Sequence, residues 1–278
     1  MEPQIPFIGM AKETERLSSA FGAGDPLLLL GPQGSGKTRL IQEALSGNRR
    51  VLYIAWVPAL HDLLTAMARA LIAARHADFV SRVGVPSAAP SGARTVAPSG
   101  VVSAGVPTAV PRGLPSGPAD PGAWLAAQTS IHLKGILWTA LEKSPVPMML
   151  DGIAGASFPA YRFLQRIYHT PEMALFAASR DALSLGALAR LFWNPAKVMN
   201  IPPLPERDAQ QLFEAAAGHF KLRTLDLDDF REKVLESARG NPGQIIEMCR
   251  LAAEPRYHAG RHIKFSPLRI DTLMKFAP

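Results

Sequence analysis

The sequence predicts an α/β fold in which a parallel sheet is flanked by helices and followed by a small all-helical domain. Five short apolar runs alternate with stretches whose apolar residues recur at three- and four-residue steps, the pattern of buried strands between amphipathic helices. A glycine-rich segment joins the first strand to a helix, and after residue 205 only the helical pattern continues. Because parallel strands need crossover connections, this alternation favours a sheet with right-handed connections. The predicted helices include Trp124–Leu141 and Leu183–Phe192.

The composition is that of a globular protein with a surplus of positive charge. Of 278 residues, 47% are hydrophobic, and 30 Lys and Arg stand against 23 Asp and Glu, for a net charge of +7. The surplus suits a nucleotide, a nucleic acid or a membrane surface without choosing among them. The single cysteine, Cys249, excludes an internal disulfide. With neither a signal-peptide pattern nor an apolar run of about 18 residues, we expect a cytoplasmic protein.

The segment Leu27–Thr38 carries the most specific pattern. It reads LLLLGPQGSGKT and matches G-x-x-x-x-G-K-[ST], a loop between a buried strand and a helix that surrounds phosphate oxygens. Its three glycines are expected to take positive φ, so that backbone N–H groups point inward. Lys37 would neutralise the β and γ phosphates and Thr38 would offer its hydroxyl to Mg²⁺; the alternative is a glycine-rich turn without a ligand. The nucleotide-binding residues predicted here are Gly31, Pro32, Gln33, Gly34, Ser35, Gly36, Lys37, Thr38 and Arg39.

A second segment, MMLDG, supplies a carboxylate at the end of an apolar strand. In proteins with such a phosphate loop, an aspartate in this place holds the hydration shell of Mg²⁺. The alternative is that Asp151 only caps a turn or a helix. Together with the loop, the segment predicts Lys37 and Asp151 as catalytic residues, Thr38 and Asp151 as metal residues, and ATP and Mg²⁺ as cofactors.

These two segments resemble those of AAA-type and STAND P-loop ATPases, and the resemblance covers most of residues 5–253. The family's F-[IV]-G pattern before the phosphate loop matches Phe7, Ile8 and Gly9, with Met10 in place of the usual arginine. Residues around that glycine line the adenine pocket in the family, so the resemblance implies adenine contacts by Ile8 and Gly9. The alternative is an ordinary surface helix packed on the sheet edge.

Three further positions follow the family's order. Ser179 and Arg180 end an apolar strand where the family has a sensor of the γ phosphate; the alternative is an ordinary polar strand end. Pro242, in the sequence Gly-Asn-Pro, resembles the STAND motif near adenine, although a helix stop followed by a helix start explains it equally. Arg190 is the nearest candidate for a trans-acting arginine finger, with a solvent-exposed arginine as the alternative.

The sequence departs from the family directly after Asp151. AAA-type ATPases usually have a glutamate at the next position, and STAND proteins often have acids two or three positions on. Here the chain has Gly152, Ile153, Ala154 and Gly155. The resemblance therefore implies nucleotide binding without the usual group that orients the attacking water. Whether the chain is an ATPase stays open, and any hydrolysis is expected to be slow.

The predicted organisation is two domains. Residues 1–205 form the nucleotide-binding α/β domain, with a flexible Pro/Gly/Ser-rich insertion at about 84–122. A partner-binding arm is the alternative for this insertion. Residues 206–278 form a helical lid and a basic tail. The tail interleaves cations with aromatic residues, which suits either contact with DNA or a solvated tail that packs a few apolar side chains.

The leading hypothesis for function is an ATP-dependent switch, in which nucleotide closes the lid and changes a surface for a protein partner or a second copy of the chain. The alternative is a DNA-associated ATPase that resembles transposition regulators or origin-binding factors. A small-molecule phosphotransferase would need an acceptor pocket with its own base, which the sequence does not identify.

Overall fold

The computed structural model describes residues 5–46, 51–83, 121–170 and 172–276. The predicted insertion at 84–122 lies outside these ranges, except for Pro121 and Gly122, with which a helix begins. Its predicted flexibility therefore stays a prediction. No helix within the described ranges is long and apolar enough to cross a membrane.

The chain divides into two compact units. The first is formed by Met1–Leu60 together with Val146–Pro278, and the second by His61–Pro145. The first unit thus contains both the sheet and the C-terminal helices. The domain boundary expected at residue 205 stays a prediction.

The first unit is built on a parallel sheet, as the sequence predicts. Its strands are β1 (Leu28–Leu30), β2 (Leu52–Ala55), β3 (Met148–Ile153), β4 (Leu175–Ser179) and β5 (Val198–Asn200). The strand order is β2-β3-β4-β1-β5, and each pairing is parallel. Every residue of β4 is buried, in keeping with the apolar run that Ser179 ends. Because β1 lies next to β4 and β4 next to β3, the loops after these three strands meet at one edge of the sheet.

Helices occupy most of the remaining described sequence. In chain order they are α1 (Ala11–Ala23), α2 (Lys37–Ser46), α3 (Leu60–Ala73), α4 (Ala77–Val83), α5 (Pro121–Ala126), α6 (Ser130–Lys143), α7 (Phe158–Tyr168), α8 (Glu206–His219), α9 (Asp228–Ala238), α10 (Pro242–Ala252) and α11 (Phe265–Phe276). In α1, Leu17 and Phe21 are buried on one face, and the Phe21 ring meets the edge of Phe176 with centroids 4.7 Å apart. This contact fixes α1 against the sheet.

The second unit consists of helices α3 to α6. The sequence predicts one helix over Trp124–Leu141, and this prediction is wrong, because the structure has two helices there. Thr129 separates them: its side chain accepts a hydrogen bond from the backbone N–H of His132 and caps the start of α6. Inside this unit, the Asp78 carboxylate of α4 accepts hydrogen bonds from Lys143 and Ser144 at the end of α6.

The helix predicted at Leu183–Phe192 is a 3₁₀ segment, Leu183–Leu191. It is interrupted at Gly186, which takes a φ of 56°. Arg190 near its end is exposed to solvent.

The basic tail is largely exposed and packs a few side chains, as one of the two alternatives from the sequence predicts. A short antiparallel hairpin joins β6 (His258–Ala259) to β7 (His262–Ile263), and α11 follows. Leu268 and Thr272 are buried on one face of α11, and Tyr257 before the hairpin is buried as well. The four-residue spacing of Leu268 and Thr272 predicts this helix, and the proline in its first turn is compatible with it.

Candidate functional site

The loop between β1 and α2 has the predicted backbone conformation at two of its three glycines. Gly34 and Gly36 take φ values of 80° and 88°, where a residue with a Cβ is strained. The prediction of positive φ is wrong for Gly31, which lies outside that region. Gly31 is needed for space instead, because a Cβ there would lie 2.7 Å from the Ser35 Oγ and 3.1 Å from the Ile201 Cβ.

The ammonium group of Lys37 is held by the loop itself. Its Nζ donates hydrogen bonds to the carbonyl oxygens of Gly31 at 2.6 Å and Pro32 at 3.0 Å, and to the Ser35 Oγ at 3.3 Å. Burial lowers the pKa of Lys37, and the negative charge of Asp151 opposes this shift. Neutral oxygens are weaker partners for a partly desolvated cation than a phosphate oxygen is, so the loop presents a cation suited to an anionic ligand.

The structure brings Thr38 and Asp151 together from elements far apart in the sequence. The Thr38 Oγ1 donates a hydrogen bond to the Asp151 Oδ2 at 2.7 Å, and Asp151 is only 6% exposed. Tyr53 on β2 donates its hydroxyl to the same Oδ2 at 2.8 Å. Burial first, and then the hydrogen bond and the charge of Asp151, raise the pKa of Tyr53 to about 12. Tyr53 is therefore a neutral donor at physiological pH.

The Thr38–Asp151 pair fits a magnesium ion better than a metal whose ligands must all come from protein side chains. The described residues contain no group of three or more His, Cys, Asp or Glu side chains that could hold a metal. Mg²⁺ keeps several water ligands and is commonly held by one or two protein oxygens together with phosphate oxygens. A buried carboxylate 2.7 Å from a hydroxyl beside the loop supplies that oxygen set.

The segment after Asp151 bends away from regular strand geometry. The β3–β4 register shifts between Leu150 and Ile153, and Gly152 takes a φ of 78° and is exposed. Trp56 fixes the segment from the neighbouring strand: its backbone N–H donates to the Asp151 carbonyl at 2.8 Å and its Nε1 to the Ala154 carbonyl at 3.0 Å. The position where AAA-type ATPases have a glutamate is thus a glycine in a left-handed conformation.

A cavity of about 600 Å³ joins the phosphate loop to two other parts of the first unit. Its lining residues come from the N-terminal segment, the loop, and helices α8 and α10: Ile5, Pro6, Phe7, Ile8, Met10, Gly34, Gly36, Lys37, Thr38, Arg39, Leu212, His219, Pro242, Gly243 and Ile246. Ile8, Arg39 and Pro242, all predicted to bind nucleotide, therefore face one cavity. Its apolar residues near the N-terminus and its Lys37 end give it one surface suited to a flat base and one suited to phosphate.

On helices α8 and α10, four of the lining residues were missed in the sequence. Leu212 and His219 are seven residues apart on α8, so they share a helix face, and Gly243 and Ile246 lie in the first turns of α10. Helical spacing signals that each pair shares a face but not which cavity that face meets. Met10 was noted only as a replacement for an arginine, and its side chain lies against Gly36.

Three of the predicted nucleotide-binding residues outside the loop lie apart from the cavity, and within the loop Gly31, Pro32, Gln33 and Ser35 do not line it. Gly9 packs on the start of α8, where a Cβ would lie 2.8 Å from the Asp208 Oδ2. The Ser179 hydroxyl is fully buried and donates to the Ile153 carbonyl at 2.8 Å. The Arg180 side chain is exposed and pairs with Asp181 at 3.2 Å.

The outer side of the loop is hydrogen-bonded to the C-terminal helices. The Gly243 N–H donates to the Gly34 carbonyl at 2.8 Å, and the Asn241 Nδ2 donates to the Gln33 carbonyl at 2.9 Å. From α11, the Lys275 carbonyl accepts a hydrogen bond from the Gln33 Nε2 at 3.3 Å. The Phe276 ring lies so close that a Cβ on Gly34 would be 2.5 Å from its Cε1. The loop is therefore enclosed by α10 and the end of α11.

This arrangement of sheet, loop and helices recurs in a solved structure of known class. A Walker-type ATPase of Pyrococcus abyssi superposes with a TM-score of 0.57 at 12% identity, covering 99% of this chain and 75% of that chain. The chain has the P-loop NTPase fold. The predicted fold class is thereby confirmed.

Two other solved structures are similar at lower scores. A STAND protein with a tetratricopeptide repeat sensor from Pyrococcus horikoshii is 14% identical with a TM-score of 0.48, and this chain covers 33% of its length. The RuvB Holliday junction branch migration motor of Thermotoga maritima is 14% identical with a TM-score of 0.47, and 72% of it is covered. In both cases 99% of this chain is covered. No protein-family model and no curated protein matches the sequence.

Proposed function

We propose that this P-loop protein binds ATP with Mg²⁺ in the cavity between the N-terminal segment, the phosphate loop and the C-terminal helices, and that it acts as a nucleotide-dependent switch. Adenine would lie near Ile8 and Pro242. The phosphates would lie in the loop beside Lys37, and Mg²⁺ beside Thr38 and Asp151. When bound, the metal would supply positive charge to the phosphate oxygens.

The observation that carries this proposal is that the loop has contacts on both of its sides. Gly34, Gly36 and Lys37 line the cavity, whereas the carbonyl oxygens of Gln33 and Gly34 accept hydrogen bonds from Asn241 and Gly243. Each carbonyl lies on the same rigid peptide plane as the N–H of the following residue. A phosphate that reorients these amides must therefore also reorient the carbonyls that hold α10.

The test has two separate readouts. Melting temperature, followed while ATP, ADP and GTP are titrated with Mg²⁺, tests binding, and Lys37→Ala should remove the ATP-dependent shift. Hydrogen–deuterium exchange over residues 242–252 and 265–276, with and without ATP, tests the switch. Absence of any nucleotide-dependent shift would overturn binding. Binding without an exchange change in these helices would overturn the switch.

We further propose that hydrolysis is slow. The four residues directly after Asp151 carry no carboxylate. The first of them, Gly152, takes a left-handed conformation that an L residue adopts only with strain. A group that orients the attacking water is therefore missing from its usual position. Single-turnover phosphate release at saturating ATP checks this. A hydrolysis rate typical of AAA-type motors, abolished by Lys37→Ala, would contradict the proposal of slow hydrolysis.

DNA association is the second candidate, and it rests on the exposed cations of the folded tail. Arg261, Lys264 and Arg269 are exposed. By contrast Arg256 and Lys275 are engaged with carboxylates. Retention on duplex DNA that falls with salt and is lost when the three exposed cations are changed to Ala supports this candidate. Failure to bind DNA at low salt rules it out.

A further inference from the structure

The hydrogen bond from Tyr53 to Asp151 joins the edge strand of the sheet to the candidate metal site. In the β2–β3 register, Ala55 lies opposite Asp151 and Tyr53 opposite Met149, so the ring of Tyr53 reaches along the sheet to the carboxylate. Tyr53 is 37% exposed, although the residues on either side of it are buried. Its side chain thus lies on the open side of β2, and its hydroxyl is directed at one oxygen of one buried group.

The two hydroxyl donors share a single oxygen of Asp151. Thr38 at 2.7 Å and Tyr53 at 2.8 Å both donate to Oδ2. A carboxylate oxygen has two lone pairs, so this oxygen is fully used. Within the described ranges Oδ1 accepts no hydrogen bond. The arrangement therefore leaves one carboxylate oxygen, in a fixed direction, for a water of a hydrated metal ion.

The two donors also replace water as hydrogen-bond partners of Asp151, which is buried. A buried carboxylate that loses its hydrogen bonds to water needs protein donors in their place. Lys37 is the cation near enough to interact with Asp151 electrostatically, and it is itself held by the loop. Without the Tyr53 hydroxyl, one of the two hydrogen bonds to the charged carboxylate is lost.

We propose that Tyr53 is a positioning residue for the metal site: its hydroxyl orients Asp151 so that Oδ1 holds the water shell of Mg²⁺. This inference rests on the proposed binding of ATP with Mg²⁺. It assigns to β2 a role in metal affinity, and no contact with nucleotide is required of Tyr53.

The test measures the dissociation constant of ATP in excess Mg²⁺ and again in EDTA. Tyr53→Phe keeps the ring and removes the hydroxyl. We expect the dissociation constant in EDTA divided by that in Mg²⁺ to fall about tenfold, which corresponds to one hydrogen bond to a charged group, with the affinity in EDTA unchanged within about twofold. Titration of Mn²⁺ into the ATP complex, followed by electron paramagnetic resonance, should show the same loss of metal affinity. Tyr168→Phe on α7 is the matched control and should change neither measurement.

Asp151→Asn separates the possible outcomes. Loss of the Mg²⁺ effect in Asp151→Asn together with an unchanged ratio in Tyr53→Phe overturns the role of Tyr53. An equal loss of affinity in Mg²⁺ and in EDTA for Tyr53→Phe indicates a packing role, which also overturns it. Absence of ATP binding by the unmodified chain instead overturns the proposed function.

Discussion

Gly243 donates its backbone N–H to the carbonyl oxygen of Gly34 at 2.8 Å, so that helix α10 begins directly on the phosphate loop. The approach depends on both residues lacking a side chain. A Cβ on Gly243 would lie 2.6 Å from the Gly34 Cα, and a Cβ on Gly34 would lie 2.7 Å from the Asn241 Oδ1. The loop and the first turn of α10 therefore form one tightly packed element.

Gly243→Ala should push the first turn of α10 away from the phosphate loop and weaken nucleotide binding. Alanine is favoured over glycine within a helix, so any loss of stability must come from the clash with Gly34. We expect a loss of about 1–3 kcal/mol in the free energy of unfolding and a weaker affinity for ATP. Chemical denaturation and ATP titration measure the two effects.

Gly218→Ala is the control for this substitution. Gly218 lies within α8, where a Cβ would meet nothing within 4 Å, so this variant should be as stable as the original chain or more stable. Equal stability and equal ATP affinity of the two variants would show that the contact between Gly243 and Gly34 does not contribute to either property.

Lys37→Ala should abolish stabilisation by ATP. The Lys37 ammonium group is the cation that the loop holds beside its glycines. A ligand at one hundred times its dissociation constant stabilises a protein by about 2.7 kcal/mol, and we expect most of this gain to disappear. Lys12→Ala, at an exposed position of α1, is the matched loss of a positive charge and should keep the ATP-dependent shift in melting temperature. A full shift in Lys37→Ala would exclude phosphate binding at this loop.

The attachment of α11 should weaken in acid. Glu247 is buried on α10 and pairs with Arg250 at 2.9 Å and with Lys275 at 2.8 Å. The hydrogen bond from Arg250, followed by that from Lys275, holds the pKa of Glu247 below its usual range. Because the folded-state pKa is lowered, the stabilisation is fully present above the unfolded value of about 4.3 and is lost as the pH falls through the lowered pKa.

Glu247→Gln should therefore remove this pH dependence. We expect the variant to lose about 1–3 kcal/mol at neutral pH, and the loss should shrink as the pH falls below about 4. Denaturation at a series of pH values measures it. Glu232→Gln, at an exposed position of α9, is the control and should leave the pH profile unchanged. A constant difference between Glu247→Gln and the original chain at every pH would contradict the prediction.

Gly152→Ala should destabilise the protein although there is open space for its side chain. A Cβ there would meet nothing within 4 Å, yet the φ of 78° is costly for any L residue. The expected loss is about 1–2 kcal/mol. Gly22→Ala, in α1 and equally open, should be neutral or stabilising, and thermal melting compares the two. If Gly152→Ala proves as stable as Gly22→Ala, the left-handed bend after Asp151 is absent in solution.

The site residues that could be predicted from the sequence belong to short local patterns. The loop residues Gly34 to Thr38 follow from one motif, and Asp151 follows from a carboxylate at a strand end. Tyr53 was not predictable in this way, because its role depends on β2 lying beside β3 in one register. Gly31 was predicted to be needed for a positive φ, whereas the structure shows that it is needed because a side chain would not fit there.

The last helix shows a different limit of the sequence pattern. The spacing of Leu268 and Thr272 is helical, but the segment was predicted only as a basic tail that either contacts DNA or is solvated. The end of α11 packs on Gly34, a contact between distant segments that no local pattern reports.

The hydrogen bond between Gln33 and Lys275 spans 242 residues of sequence, and this separation bears on the order in which the protein folds. The phosphate loop is synthesised well before the helix that covers its outer side. Contacts between such distant segments require closure of a long loop and form late. Until α11 has docked, the loop lacks one of its two enclosing helices. We therefore expect competence to bind nucleotide to appear only after α11 has docked.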